Sequence, residues 1–283
     1  MHRFRRLSVL LLATLFATHA FAGTREDERA RNALRVMTDI QAIPESAIPD
    51  KLLDEAKAIA VIPDTIKAGL IIGGRRGHGL LSIKNPDGTW SNPTFIILTG
   101  GSIGLQAGVQ SSDVVLVFRS ERGLDSIVNG KFTLGADAGV AAGPLGRNAS
   151  TATDAEMKAE IWSWSRARGL FAGVALDGAM LAIDDAANQS VYGNGTTPRM
   201  IFEGRIATPA SNAIVDYRDS LEEATATARG RRGTTQARTT AAVRTAADPA
   251  PAAATSPVVE PQPTPFESVQ PGEVRTEALP ATP

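Results

Sequence analysis

The basic residues in the middle of the chain are the side chains whose types and spacing suggest chemistry most directly. Between Asp64 and Asp87 the chain carries four cations and no acid. A lysine or arginine close to an anionic lipid surface contributes about 1 kcal/mol to binding, so a cluster suffices for peripheral attachment without catalysis. The alternative is that each cation is a solvated surface charge. The candidate headgroup-binding residues from this and later segments are Lys67, Arg75, Arg76, Lys84, Arg147, Arg166 and Arg168.

Side chains suited to catalysis are scarce. The chain has no cysteine and 3 histidines, of which His2 and His19 lie in an expected leader, so His78 is the one candidate general base. It is flanked by glycines, which favours a surface position in a hairpin, and no G-x-S-x-G, G-x-G-x-x-G or P-loop motif occurs. An acid pair remains an option, with turn and helix-cap roles as the alternative, among Asp137, Asp177, Asp184 and Asp185. We therefore expect no enzyme, no cofactor and no metal site.

Composition limits the class of protein further. A formal net charge of −1 argues against a strongly basic nucleic-acid-binding protein. Hydrophobic residues make up 43% of the chain, which is enough for a globular domain with a core.

Both ends of the chain differ from its middle. Residues 1–22 combine three arginines, an apolar run and Ala20-Phe21-Ala22, which is the pattern of a signal peptide cut after Ala22. Residues 224–283 are first rich in arginine and then hold more than half of the 17 prolines, which predicts a disordered tail, either a spacer or a basic arm for an anionic polymer. The sequence thus predicts one domain over residues 23–223 of a periplasmic or secreted protein, with peripheral attachment to the outer membrane as an option.

Four helices are predicted from periodicity and capping residues. The first opens with a capping box at Thr24–Asp27, repeats apolar residues every three or four positions, and ends at Pro44. Its polar side carries Arg31 and Arg35, which we add to the candidate binding residues. The other three are predicted over residues 50–58, 120–128 and 184–190.

Short β-branched segments predict strands in the rest of the domain. They cover residues 59–62, 70–72, 80–83, 95–98 and 114–118, and Asn85-Pro86-Asp87-Gly88 predicts a hairpin turn. Trp162 and Trp164 share one strand face by their period of two, either in the core or as an interfacial pair. The expected fold class is α+β, with N-terminal amphipathic helices packed on a glycine-rich, mainly antiparallel, strongly curved or barrel-like sheet.

Glycines are concentrated in this sheet-forming region. Most of the 26 glycines lie between Gly69 and Gly204, and many are four residues apart, which places them on one face of a strand. Tight bending of a curved sheet is the favoured explanation, and close approach of the backbone to a ligand is the alternative.

An ordered set of motifs resembles the SYLF domain family. It extends from about Arg29 to Gly193 and comprises Ala56–Pro63, Trp90–Pro93, Gly104–Gly108, Ala142–Arg147, Gly169–Val174 and Tyr192-Gly193. The resemblance implies a phosphoinositide- and membrane-binding module, which in eukaryotic members also binds and bundles actin. It further implies a role in lipid binding for the first helix, here Glu26 to Ile43.

Together these observations predict a non-catalytic, exported lipid-binding protein that engages anionic headgroups. Export makes cytosolic actin and phosphoinositides unsuitable natural partners, so the resemblance supports lipid binding without naming the lipid. The alternative function is an envelope scaffold or protein-interaction module that uses the glycine-rich face.

Overall fold

A computed structural model describes residues 23–45, 47–69, 72–103, 108–128, 130–146, 159–167 and 169–247. The helices in this part of the chain are α1 (residues 23–42), α2 (Asp50–Asp54), α3 (Arg122–Val128), α4 (Asp185–Tyr192), α5 (Pro198–Phe202) and α6 (Asn212–Ala247). The strands are β1 (Ala58–Gly69), β2 (Ile72–Ile83), β3 (Thr94–Ile103), β4 (Gly108–Phe118), β5 (Lys131–Thr133), β6 (Val140–Ala142), β7 (Ile161–Ala167), β8 (Leu170–Gly173) and β9 (Met180–Ile183).

The strands form one sheet, in the order β5-β9-β3-β2-β1-β4-β7-β6, with β8 paired to β7. The neighbouring strands are antiparallel except for β6 and β7. The sheet curls strongly into a half-barrel, and several helices accompany it. The predicted α+β class with a curved, mainly antiparallel sheet is confirmed.

Each face of the sheet carries its own apolar core. One face, with Val61 and Phe95, packs against α1, α2 and α6. The other, with Leu116 and Phe118, packs against α3 and β5. Because both faces are covered, the core halves of the central strands read as unbroken apolar runs rather than as alternating patterns.

The predicted helices are largely confirmed. Residues 23–42 are helical, and α4 begins after Asp184, whose carboxylate accepts a hydrogen bond from the Ala187 amide as an N-cap. The second helix ends at Asp54, earlier than predicted, because Ala58 already belongs to β1.

The predicted strands over residues 59–62, 80–83, 95–98 and 114–118 are the mostly buried parts of longer strands. Of the predicted strand over residues 70–72 the structure describes only Ile72, the first residue of β2. β1 continues to Gly69 and β4 begins at Gly108, and these extensions are mostly exposed or half-buried. Their glycine, serine and glutamine residues carry no strand periodicity, so the sequence did not indicate them. The Asn85–Gly88 turn is confirmed, with Lys84 paired to Trp90 across it.

Helix α6 continues past residue 223, where the sequence placed the end of the domain, and runs to Ala247. Alanine and arginine are strong helix formers, and Leu221, Thr225 and Ala228 are buried along one side of the helix. The described residues up to Thr239 form one compact unit, and of the unit that follows the structure describes only residues 240–247. The predicted signal peptide and the proline-rich part of the tail lie outside the described residues.

Several glycines are required by packing within the protein itself. A Cβ on Gly79 would lie 2.8 Å from Ile62 Cα, beside a register shift in β1, and a Cβ on Gly143 would enter the indole ring of Trp164. Such contacts support the bending explanation for these positions. Gly101 and Gly139, by contrast, have no neighbour within 4 Å of a Cβ among the described atoms.

Candidate functional site

Two hairpins, β1–β2 and β7–β8, turn at one end of the sheet, where β3 also ends and β4 begins. We call this end the turn edge. It comprises the described residues 66–69, 72–76, 99–103, 108–111, 167 and 169–170. Gly69 pairs with both Gly73 and Gly108, so the ends of β1, β2 and β4 lie side by side. The β7–β8 turn belongs to the same end, because Arg166 pairs with Asp113 on antiparallel β4.

Three of the predicted binding residues meet at the turn edge. Lys67 on β1 lies directly opposite Arg75 on β2, and Arg76 lies opposite Ile66. Arg76 is exposed, while Lys67 and Arg75 are half-buried. Among the described residues these three cations have no acidic partner, and their side chains donate no hydrogen bond to a neighbour. Burial lowers the pKa of Arg75. The chain holds one acid between Asp64 and Asp113, and it lies in the turn at the other end of β2.

Helix α1 crosses the strands next to the turn edge. Its ion pairs mark the crossing: Arg29 with Asp184, Arg35 with Asp64 at 4.0 Å, and Asp39 with Arg166 on β7. Arg31 lies one helical turn before Arg35, and both are exposed. The predicted residues Arg31 and Arg35 therefore add positive charge beside the turn edge, although Asp64 offsets part of it.

A cleft of about 540 Å³ lies between α1 and the β1–β2 hairpin. Its lining includes Arg29, Asn32, Asp64, Arg76 and His78. Guanidinium groups in such a cleft can donate paired hydrogen bonds to phosphate or carboxylate oxygens. The cleft thus offers anion-binding groups directly below the turn edge.

His78 lies in the middle of β2, within the β1–β2 hairpin, and is half-buried. Its Nδ1 lies 3.3 Å from Asp184 Oδ2, and Arg29 donates to the same oxygen over 3.3 Å. Asp184 therefore joins β2, α1 and the start of α4, while Asp137 accepts the Thr133 amide at 2.6 Å. These two carboxylates have the cap and turn roles that were the alternative to an acid pair.

Two predicted binding residues lie in other surroundings. Arg166 bonds Asp39, lies 3.9 Å from Asp113 and stands over the Phe171 ring, so its charge is used within the fold. Lys84 lies at the opposite end of β2, donates to the Asp54 carbonyl at 3.1 Å and stands over Trp90. Burial and the charge of Arg229 lower the pKa of Lys84. The predicted residues Arg147 and Arg168 lie outside the described residues.

The apolar face of α1 is packed in the core, so the role in lipid binding that the family resemblance implies for this helix, which stays a prediction, falls to its polar side in this structure. The apolar face is at most 1% exposed over Ala30, Ala33, Val36, Met37 and Ile40. Trp162 and Trp164 are core residues as well, at 7% and 0% exposure, and the Trp164 indole donates to the Pro144 carbonyl at 3.0 Å.

The arginines after residue 223 bind the domain, which the sequence did not indicate. Arg229 and Arg232 both pair with Asp54, at 3.0 and 2.6 Å, and Arg231 lies 3.5 Å from Asp50. The expectation of a free basic arm is wrong for these three residues, because α2 supplies the opposite charges.

The end of the sheet opposite the turn edge carries a groove of about 1080 Å³. Acids and bases alternate around it, and several are paired with each other, such as Arg119 with Glu55 at 2.8 Å and Lys57 with Glu121 at 3.8 Å. Its charges are thus largely compensated, unlike those of the turn edge. No group of three or more His, Cys, Asp or Glu suited to a metal occurs in the described part of the chain.

No helix within the described residues is long and apolar enough to cross a membrane.

Comparison with known proteins identifies the domain. A family model described as Las17-binding protein actin regulator, Ysc84, matches residues 99–224. Protein YSC84 of Saccharomyces cerevisiae is 35% identical over 189 residues, covering 65% of this chain and 40% of that protein. The SH3 domain-containing YSC84-like protein 1 of Homo sapiens is 32% identical over 202 residues, covering 70% of this chain and 59% of that protein.

A third relative is LAS seventeen-binding protein 3 of Saccharomyces cerevisiae, 36% identical over 168 residues, which are 58% of this chain and 36% of that protein. The match thus spans about two fifths of the yeast relatives and somewhat more than half of the human one. The ordered motifs, the half-barrel and these relatives agree, and the chain belongs to the SYLF (Ysc84) family.

Proposed function

We propose that this chain is a non-catalytic binding protein whose turn edge engages anionic, phosphoinositide-like lipid headgroups at a membrane surface. The observation that carries the proposal is the set Lys67, Arg75 and Arg76, which lie at one end of the sheet without an acidic partner among the described residues. Lys67 and Arg75 share one face of the sheet, and Arg76 lies on the other. The relatives are consistent with a binding module, and their names specify no lipid.

The electrostatics of the three cations favour an anionic ligand. Lys67 and Arg75 face each other across paired strands, and like charges in this arrangement are unfavourable. Arg75 is also partly desolvated, as its lowered pKa reflects. A phosphate group between them removes the repulsion and replaces lost hydration with charge-assisted hydrogen bonds. Arg31 and Arg35 extend the positive surface along α1.

The turn edge suits a flat membrane better than an enclosed ligand. Its strands end side by side, and each cation near an anionic bilayer contributes about 1 kcal/mol. Three such residues, with two more on α1, account for reversible peripheral binding. Neither a nucleophile nor a metal is required for this function.

The proposal includes export. The leader pattern of residues 1–22 directs the chain to the periplasm or the exterior, where the turn edge meets an outer leaflet or the outer membrane. Mass spectrometry of the protein recovered from its producing cells is expected to give an N-terminus at Gly23, and an intact Met1 in the cytoplasm contradicts this part of the proposal.

A protein partner is the second candidate. It is favoured by the names of the relatives, which describe Las17 binding and actin regulation, and by the open glycine backbone at the turn edge. A pull-down whose partner persists in detergent, and is lost in a turn-edge variant, supports this candidate over lipid.

Vesicle co-sedimentation tests the lipid proposal. Binding of the purified chain is measured on phosphatidylcholine vesicles with and without phosphatidylserine or a phosphoinositide, at low and high salt. We expect binding that requires the anionic lipid and weakens with salt, since exposed charges are screened. The triple variant Lys67→Gln/Arg75→Gln/Arg76→Gln is expected to lose it.

The matched control removes three exposed cations away from the turn edge, as Lys57→Gln/Arg199→Gln/Arg205→Gln. This variant has the same net charge as the turn-edge triple, so equal loss of binding in both contradicts a specific site. Binding that is indifferent to anionic lipid or to salt contradicts the proposal altogether.

A further inference from the structure

The turn edge exposes large apolar side chains as well as cations. Val109 is 74% exposed, Leu170 is 73% exposed and Ile66 is 52% exposed. Among the described residues, the other large apolar side chains with high exposure are Ile43 at 49% and Leu145 at 41%. The three most exposed apolar residues therefore share one end of the sheet.

Strand pairing fixes this arrangement. Val109 on β4 pairs with Ala68 on β1, two residues along the strand from Ile66. Leu170 begins β8 and pairs with Ala167, the last residue of β7. The apolar side chains are thus distributed over the ends of β1, β4 and β8 rather than gathered in a pocket.

The strand segments that carry these apolar residues are poor in acids. Residues 65–69 and 99–112 contain no acid, and their polar members are Lys67 and threonine, serine and glutamine residues. Asp64, beside Ile66 in the cleft, is the nearest acid along β1. Ile66 lies opposite Arg76, and Lys67 lies opposite both Arg75 and Gln110. An apolar surface bordered by cations matches the bilayer interface, where acyl chains lie directly beneath anionic headgroups.

The described backbone in the middle of this end suits an apolar environment. The strand residues of the turn edge are hydrogen-bonded to one another across β1, β2, β3 and β4. Backbone groups in lipid must be satisfied internally, and paired strands meet that requirement where a free loop would not.

We propose that the turn edge inserts Ile66, Val109 and Leu170 into the upper acyl region of a lipid bilayer, while Lys67, Arg75 and Arg76 remain among the headgroups. The inference rests on the proposed lipid-binding function and adds the mode of attachment. Binding then has an apolar component, which salt does not screen, beside the electrostatic one.

The chain contains no cysteine, so a single introduced cysteine is a unique labelling site. An environment-sensitive fluorophore is attached to Val109→Cys, to Leu170→Cys and, as the matched control, to Leu145→Cys. Each labelled protein is mixed with phosphatidylcholine–phosphatidylserine vesicles that contain a spin-labelled acyl chain. We expect a blue shift and quenching at positions 109 and 170, and neither at 145.

The outcomes separate this inference from the function on which it rests. Vesicle co-sedimentation without blue shift or quenching at positions 109 and 170 overturns insertion and leaves headgroup binding in place. No co-sedimentation of any variant, or of the unlabelled chain, overturns both.

A second measurement avoids the label. Val109→Ser and Leu170→Ser are each expected to reduce partitioning by about tenfold at high salt, because burial of an aliphatic side chain is lost. Leu145→Ser is expected to change it less than twofold. Equal partitioning of all three variants and the parent chain contradicts insertion.

Discussion

Lys67 and Arg75 stand directly opposite each other on β1 and β2, although both are cations and no acid in the described part of the chain accompanies them. Opposed like charges destabilise a sheet by roughly 0.2–1 kcal/mol. The repulsion between these two residues therefore destabilises the folded protein at the surface to which we assign lipid binding.

This cost predicts that stability and binding change in opposite directions. Lys67→Gln is expected to raise the free energy of unfolding by about 0.2–1 kcal/mol, because the repulsion with Arg75 disappears. The same variant is expected to bind anionic vesicles more weakly. Denaturant unfolding and co-sedimentation measure the two effects. Lys57→Gln is the control: because Lys57 pairs with Glu121, its replacement relieves no repulsion and is not expected to raise the free energy of unfolding. A lower free energy of unfolding in Lys67→Gln than in the parent chain contradicts the assignment.

Arg166 is expected to stabilise the fold rather than bind lipid. It joins Asp39 on α1 to Asp113 on β4, and the Asp113 side chain is only 11% exposed. Arg166→Gln is expected to lower the free energy of unfolding by about 1–3 kcal/mol, because a mostly buried carboxylate loses its charged partner. Chemical denaturation checks this, with Arg76→Gln as the exposed comparison. Weaker vesicle binding at unchanged stability would restore the role that the sequence suggested for Arg166.

The glycines separate into required and replaceable positions. Gly143→Ala is expected to destabilise the protein by about 1–3 kcal/mol, because the new methyl group enters the Trp164 ring and forces the core to shift. Gly139→Ala is the control, with open space around its Cβ and no left-handed backbone. Thermal unfolding distinguishes them, and equal melting temperatures contradict the packing explanation.

The arginine segment of α6 is expected to depend on Asp54. Asp54→Asn removes the carboxylate that holds Arg229 and Arg232, so this part of the helix is expected to open more often. Limited proteolysis with trypsin, which cleaves after arginine, is expected to cut there several times faster than in the parent chain. Asp125→Asn, on the exposed surface of α3, serves as the control. Identical cleavage of both variants contradicts a stabilising role for these ion pairs.

Two buried tyrosines predict sensitivity to alkali. Burial raises the pKa of Tyr192 and of Tyr217 above the ordinary value of 10.0. The folded chain therefore holds these two phenol protons more tightly than the unfolded chain does. The free energy of unfolding is unaffected below about pH 10 and falls above it, where the unfolded chain releases protons that the folded chain retains. Tyr217→Phe is expected to reduce this loss, as measured by unfolding free energy against pH.

The two tyrosines differ near neutral pH. The Tyr192 hydroxyl donates to the Pro93 carbonyl at 2.7 Å, so Tyr192→Phe is expected to cost about 1 kcal/mol. Tyr217→Phe is expected to cost less than this, since the Tyr217 hydroxyl lies near the Ser82 side chain but neither oxygen has a hydrogen bond of normal geometry among the described residues. If the free energy of unfolding falls equally with rising pH in Tyr217→Phe and in the parent chain, Tyr217 does not cause the sensitivity to alkali.

The sequence was sufficient to predict those helices and turns that depend on residues close together in the chain. Apolar residues three and four apart predicted α1, and Asn85–Gly88 predicted the turn after β2, because helix periodicity and turn conformations are local properties. Helix α6 was missed because its composition is mostly alanine, threonine and arginine, and its stability depends on packing and on distant acids.

The candidate site was predicted in part for the same reason. Lys67, Arg75 and Arg76 lie close together in sequence and remained together once β1 and β2 paired. Arg166 and Lys84 met partners far along the chain, Asp39 and Asp54, which neither composition nor spacing indicates. The apolar side chains of the turn edge lie on three strands, and only the register of the sheet brings them to one end.

The partition coefficient of the turn-edge triple variant on phosphatidylserine-containing vesicles tests the central claim most directly. Replacement of Lys67, Arg75 and Arg76 by glutamine is expected to lower it about a hundredfold, at about 1 kcal/mol for each cation. The triple variant of Lys57, Arg199 and Arg205 is expected to stay within about threefold of the parent chain, since exposed charges away from the contact surface are screened. An equal loss in both triples, or no loss in the first, would contradict a lipid-binding turn edge.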